Sequence, residues 1–210
     1  HAVKDVSFEV QAGERRSIIG PNGAGKTSLF HCISGVLGPS SGQIRFKGQD
    51  ITQRPEHERT ALGIGRTFQI SSVFTELTVI ENIALAQLGI SPSKWGLWRS
   101  ALATPNLRER AAQTLAQVGL AGQEDALVQN MSYGERRQLE LVLALINSPE
   151  LLLLDEPCAG LSPAERQRLS GIISTLPRSM TMIMIEHDMD IALALADRVT
   201  VMHQGTVILD

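Results

Sequence analysis

Gly20-Pro21-Asn22-Gly23-Ala24-Gly25-Lys26-Thr27, followed by Ser28, has the spacing G-x-x-x-x-G-K-[ST]. Glycines at those positions let successive backbone N–H groups turn inward around phosphate oxygens, and the helix that follows aims its positive end at them. Lys26 adds a full charge suited to the β- and γ-phosphates, and the Thr27 hydroxyl suits Mg²⁺. The residues imply that this chain binds a nucleoside triphosphate. Downstream, Leu151–Leu154 runs into Asp155-Glu156-Pro157. A carboxylate at the C-terminal tip of a buried strand is where an Mg²⁺-organising aspartate belongs. Glu156, next to it, can accept a proton from an attacking water, so the pair points to hydrolysis rather than storage of the nucleotide.

These residues need strands that end together and helices that begin there. Short apolar runs alternate with longer amphipathic ones, which predicts an α/β protein. Val6–Val10 and Ser17–Ile19 read as strands on either side of a turn at Ala12-Gly13-Glu14. Gln43–Lys47 alternates between Gly42 and Gly48 and reads as a half-buried strand. Four successive leucines cannot alternate faces, so Leu151–Leu154 suits a central strand covered on both sides. Thr181–Ile185, Val199–Met202 and Thr206–Leu209 complete the strand set, the last two joined by a turn at Gln204-Gly205. Ser28–Ser34 and Leu107–Val118 read as helices. Ser162-Pro163-Ala164-Glu165 reads as a helix start, with serine as cap, proline in the first turn and glutamate three residues on. From Leu77 to Ile146 strand signals give way to helical periodicity, broken around Trp95 and Trp98. The expected organisation is one domain, with a core at 1–76 and 147–210 and a helical subdomain at 77–146.

A chain of 210 residues suits one core with an insertion. Its 19 basic and 22 acidic residues give a formal charge of −3, which argues against general nucleic-acid binding. The longest apolar runs, Leu141–Ile146 and Ile191–Ala196, fall far short of the roughly 18 residues that cross a bilayer. No secretory signal opens the sequence. Cys32 and Cys158 do not make a disulfide framework and read as buried thiols. His1, His31, His57 and His203 show no metal-ligand spacing. A start at His1 rather than Met fits a processed or trimmed chain, or a domain cut from a longer one.

In this order of motifs the sequence resembles the ATP-binding-cassette (ABC) ATPases over nearly its whole length. Gln69, in Gly63-Ile64-Gly65-Arg66-Thr67-Phe68-Gln69, is similar to the family's glutamine loop. Met131-Ser132-Tyr133-Gly134-Glu135 resembles its signature, Ala159-Gly160-Leu161-Ser162 its D-loop, and His187 in Ile185-Glu186-His187-Asp188 its switch histidine. The resemblance implies a phosphate-loop NTPase core with an antiparallel β subdomain and a helical insertion. It further implies two cassettes paired head to tail around two ATP molecules. Ser132 and Gly134 would then meet the γ-phosphate held by the opposite subunit, with Tyr133 and Glu135 orienting that contact. Gln69 would sense Mg²⁺ and water, and His187 would bind the γ-phosphate and position the water that Glu156 activates. Thr27, Gln69 and Asp155 would be the Mg²⁺ residues, and the remaining nucleotide contacts would come from Gly20–Ser28. The family's adenine-stacking aromatic falls upstream of His1, so weakened ATP affinity is expected.

The signature departs from L-S-G-G-Q at Met131, Tyr133 and Glu135 while keeping Ser132 and Gly134. Tyr133, together with Gly63–Gln69, Val73–Asn82 and Cys158–Pro163, is similar to the branch that imports branched-chain and other hydrophobic amino acids. The helical insertion is shorter than usual for that branch. The resemblance thus implies an ATPase subunit peripheral to the cytoplasmic face of a membrane. Its expected partners are a second cassette, identical or related, membrane permease subunits and, indirectly, an external solute-binding protein, with no nucleic acid. The competing readings are a soluble cassette ATPase acting on nucleic acid or ribosomes, a nucleotide-binding module without turnover, and an exporter subunit.

Overall fold

The computed structural model describes residues 2–67, 73–88 and 106–210. Packing divides the chain into two units. One comprises His1–Arg66, Glu150–Glu156 and Pro177–Asp210, and the other Thr67–Pro149 and Pro157–Leu176. Pro157–Leu176 thus groups by packing with the helical segments.

The first unit is built on a six-stranded sheet. Its strands are β1 (Arg15–Ile19), β4 (Ile64–Arg66), β5 (Leu151–Asp155), β6 (Thr181–Ile185), β7 (Arg198–His203) and β8 (Thr206–Leu209), in the spatial order β4-β5-β6-β1-β7-β8. All neighbours are parallel except β7 and β8, which form an antiparallel hairpin. Leu152, Leu153 and Leu154 are fully buried, as a central strand covered on both faces requires. Helix α1 (Lys26–Ser34) packs on β5, and Leu29 and Phe30 join Ile18, Leu153, Ile183, Ile185 and Met202 in the core. Two further helices, α2 (Glu56–Ala61) and α7 (Met189–Leu195), belong to this unit. Asp188 caps α7, its Oδ1 accepting from Asp190 N at 3.1 Å and Ile191 N at 3.3 Å.

The antiparallel part is smaller than Gln43–Lys47 suggests. Only β2 (Arg45–Phe46) pairs, with β3 (Gln49–Asp50), across a turn in which Lys47 (φ 53°) and Gly48 (φ 77°) are both left-handed. Val6–Val10 is not a strand. Val6, Phe8 and Val10 pack on the core while Ser7 and Glu9 face out, so the alternation is real. The segment nevertheless joins no ladder among the described residues, and alternation reports burial, not pairing. The remaining strand readings agree with the structure to within two residues at either end, and β4 is one the sequence pattern leaves unmarked.

The second unit contains α3 (Val79–Leu88), α4 (Leu107–Gln117), a 3₁₀ turn at Val128–Asn130, α5 (Tyr133–Leu145) and α6 (Pro163–Thr175). In α4 the buried residues Leu107, Ala111 and Leu115 recur every fourth position, one stripe of an amphipathic helix. Three helix starts share one device. Thr78/Glu81, Ser132/Glu135 and Ser162/Glu165 each exchange hydroxyl, carboxylate and backbone N–H bonds across three residues. The sequence pattern marks only the last of them. Trp95, Trp98 and the break in periodicity around them lie outside the described residues.

Candidate functional site

The phosphate loop fills the turn from β1 into α1, as the sequence predicts. Gly25 caps α1 with a left-handed backbone (φ 97°), and a Cβ there would strike the Ala2 carbonyl oxygen. Glycine is therefore required at this position by both backbone and space. Lys26 is buried, with 5% of its surface exposed, and its ammonium donates to the carbonyls of Gly20 (2.7 Å) and Pro21 (3.1 Å). Burial pushes the Lys26 pKa down, while Glu156 and then Asp155 push it back up. The loop thus carries a cation held beside two carboxylates.

Those carboxylates sit at the end of β5. Asp155 pairs with Ile185 of β6 in the ladder, so the residues just beyond each strand emerge side by side. Glu156 N donates to Ile185 O at 3.0 Å, and Glu156 then takes a left-handed backbone (φ 50°), unusual for a residue with a side chain. Two residues past the end of β6, His187 brings Nε2 to 2.9 Å from Glu156 Oε1. An ionised carboxylate only accepts, so His187 donates this bond.

Asp155 is nearly inaccessible, at 1% exposure. Burial raises its pKa, opposed first by Arg66, and Glu156 adds to the rise. Arg66 Nη2 lies 3.7 Å from Asp155 Oδ2, and Arg66 Nη1 donates to Ser34 Oγ at 2.7 Å. This arginine therefore links β4, α1 and β5 at the carboxylate cluster. Motif reading gives it no role, although a buried charge at the tip of a strand demands a partner. The oxygens of Thr27 and Asp155 are hard donors of the kind a small divalent cation prefers. No group of three or more His, Cys, Asp or Glu among the described residues makes a metal cage. This donor set therefore suits a cation that also takes ligands from a phosphate substrate. Gln69 lies outside the described residues.

In the second unit Ser132 is the N-cap of α5. Its Oγ accepts from Glu135 N at 3.2 Å, and Glu135 Oε2 accepts from Ser132 N at 2.8 Å. Gln123 Nε2 donates to Glu135 Oε1 at 3.2 Å. These bonds, led by the Ser132 N–H, hold the Glu135 pKa below the usual carboxylate range. A glutamate at this position is thus the capping partner of the serine, with its charge at the positive end of the helix. Gly134 packs so closely on α6 that a Cβ would sit 2.5 Å from Glu165 Oε1. Lys26, Asp155, Glu156 and His187 therefore gather at the C-terminal ends of the central strands β1, β5 and β6, while Ser132 and Gly134 form a second cluster at the start of α5.

Comparison with known proteins bears on the family and the fold. The family model for the ABC transporter matches residues 3–159. The high-affinity branched-chain amino acid transport ATP-binding protein LivG of Escherichia coli is 39% identical, over 98% of this chain and 83% of the relative. The lipopolysaccharide export system ATP-binding protein LptB of Acidithiobacillus ferridurans is 35% identical, over 98% and 82%. The crystal structure of an ATP-binding cassette of an ABC transporter in its ADP conformation superposes with a TM-score of 0.85 at 31% identity, covering 99% of this chain and 83% of that one. No helix among the described residues is long and apolar enough to cross a membrane. A match of this extent in both sequence and fold has one meaning: the chain belongs to the ABC transporter family.

Proposed function

We propose that this chain is the ATP-hydrolysing subunit of an importer for branched-chain or other hydrophobic amino acids. The single observation that carries the ATPase reading is the 2.9 Å bond between His187 Nε2 and Glu156 Oε1, one residue past buried Asp155. The uptake reading rests on the 39% identity to the LivG protein, above the 35% to the export protein, and on Tyr133 in the signature.

In this mechanism the N–H groups of Gly20–Ser28 and the Lys26 ammonium hold the phosphates of ATP. Thr27, Asp155 and Gln69 would hold Mg²⁺, which would neutralise phosphate charge. Water attacks the γ-phosphorus and gives its proton to Glu156, and the bond to the β-phosphate oxygen breaks, leaving ADP and phosphate. His187 moves its hydrogen bond from Glu156 to the γ-phosphate and fixes the water. Ser132 and Gly134 meet the γ-phosphate of a second cassette through hydroxyl, backbone N–H and the end of α5. ATP touching both subunits favours the closed pair, and hydrolysis removes that preference. The subunit works at the cytoplasmic face of a membrane, on permease subunits that an external solute-binding protein supplies.

The test is size-exclusion chromatography of Glu156→Gln with Mg-ATP beside wild-type phosphate release. A dimer that forms only with ATP, together with lost hydrolysis, is the expected result. Full turnover by Glu156→Gln would overturn the assignment of the carboxylate. Uptake is tested by reconstitution with a permease and labelled leucine, and failure to energise it would overturn the substrate class.

A further inference from the structure

Tyr133 replaces the small third residue of the signature, and its surroundings give the replacement a purpose. It opens α5, is partly exposed at 44%, and its ring lies against the loop after β5 rather than away from it. The hydroxyl donates to the carbonyl oxygen of Ala159 at 3.2 Å. It also accepts from Arg137 Nε at 3.1 Å, one helical turn along. Arg137 stands over the tyrosine ring with its guanidinium carbon 5.3 Å from the ring centre, and its Nη1 donates to Glu140 Oε2 at 2.8 Å. Arg137 and Glu140 are both buried, with 9% and 3% of their side chains exposed, so the hydroxyl is held by a fixed anchor. On the other side the backbone makes room. Gly160 is left-handed (φ 75°), and a Cβ on it would lie 3.1 Å from the tyrosine oxygen and 3.3 Å from Cε1. The relay Glu140–Arg137–Tyr133–Ala159 therefore runs from the interior of α5 to the loop Cys158–Leu161.

We propose that Tyr133 is a positioning residue that ties this loop to the N-terminus of α5, so that Ser132 and the Ala159–Ser162 loop present one preset surface to a second cassette. The functional half rests on the paired-cassette reading above, while the tether itself lies wholly within one chain. A glycine in place of Tyr133 has no atoms to make this link. The tether replaces freedom of the loop with a fixed placement, and preset geometry lowers what must be ordered when two surfaces meet.

The experiment compares full-length wild type and Tyr133→Phe, which keeps the ring and removes the hydroxyl. Hydrogen–deuterium exchange of the 158–162 segment is read on the nucleotide-free protein, and kcat and KM for ATP are measured in parallel. A lost neutral hydrogen bond predicts about three- to tenfold faster exchange in that segment, with α4 unaffected. It also predicts a several-fold fall in kcat at nearly unchanged KM, because the phosphate loop is untouched. Unchanged exchange at 158–162 would overturn the tether. Faster exchange with unchanged kcat would overturn the positioning role. Failure of the paired-cassette reading shows separately, as Glu156→Gln staying monomeric with ATP while exchange still responds to Tyr133→Phe.

Discussion

His187 Nε2 stands 2.9 Å from Glu156 Oε1 because β5 and β6 are parallel neighbours whose last paired residues are Asp155 and Ile185. The contact therefore follows from strand register. Glu156 itself has a left-handed backbone (φ 50°). Glu156→Gln is expected to reduce phosphate release by at least about a hundredfold, the scale of a lost general base. ATP affinity should stay within a few-fold of wild type, measured by equilibrium dialysis. Residual turnover above a tenth of wild type would contradict the role.

Lys26→Ala removes the only charged side chain inside the phosphate loop. A charge-assisted bond to phosphate is worth about 1.5–3 kcal/mol, so ATP affinity should weaken roughly 10- to 150-fold. Titration calorimetry with ATP reads this directly, and an unchanged dissociation constant would remove Lys26 from the site.

Gly134→Ala should act at a distance from its own helix. The new methyl displaces the Glu165 carboxylate, which caps α6 by accepting from Ser162 N at 2.9 Å. The expected cost is about 1 kcal/mol of unfolding free energy, the scale of a lost cap. In a Glu165→Ala background the same change should cost much less, because the displaced group is already gone. Additive effects in urea melts of the four proteins would show that the methyl acts elsewhere.

Asp50 gives a pH signature. Its carboxylate accepts from Thr52 Oγ1 at 2.6 Å, Gln43 Nε2 at 2.6 Å and Thr52 N at 2.9 Å, which together lower its pKa to about 2. A lowered carboxylate pKa stabilises the fold above the unfolded-state value and loses that contribution as pH falls towards the folded-state value. The β2–β3 hairpin should therefore loosen between about pH 4 and pH 2. Carboxylate chemical shifts across that range check it. Thr52→Val should move the Asp50 midpoint upwards, and a midpoint unmoved by that change would exclude the threonine as its cause.

Where a residue type forces one answer, the sequence was readable. Four leucines in a row suited a covered strand, and Gly25-Lys26-Thr27 was expected between a strand and a helix, where the structure has it. Val6–Val10 misled because its burial alternates without a partner strand. Arg66 and Tyr133 were not assigned these contacts because their meaning lies in partners 89 and 26 positions away, at Asp155 and Ala159. Glu135 looked like a departure from a motif until the Ser132 cap explained it. Local chemistry can be read from spacing, but long-range pairing cannot.

The position of β1 sets the order in which this protein can be made. The loop at Gly20 follows a strand that ends at residue 19, yet among the described residues the ladder partners of that strand are β6 and β7, starting at Thr181 and Arg198. Residues up to Thr181 and beyond must therefore be in place before Gly20–Thr27 acquires its support. Long-range parallel pairing of this kind closes late, since the entropy of large loops must be met before contacts repay it. A chain lacking β6 and β7 therefore carries Gly20–Thr27 with neither strand that frames its approach, so those residues are held in place only once both strands have joined β1.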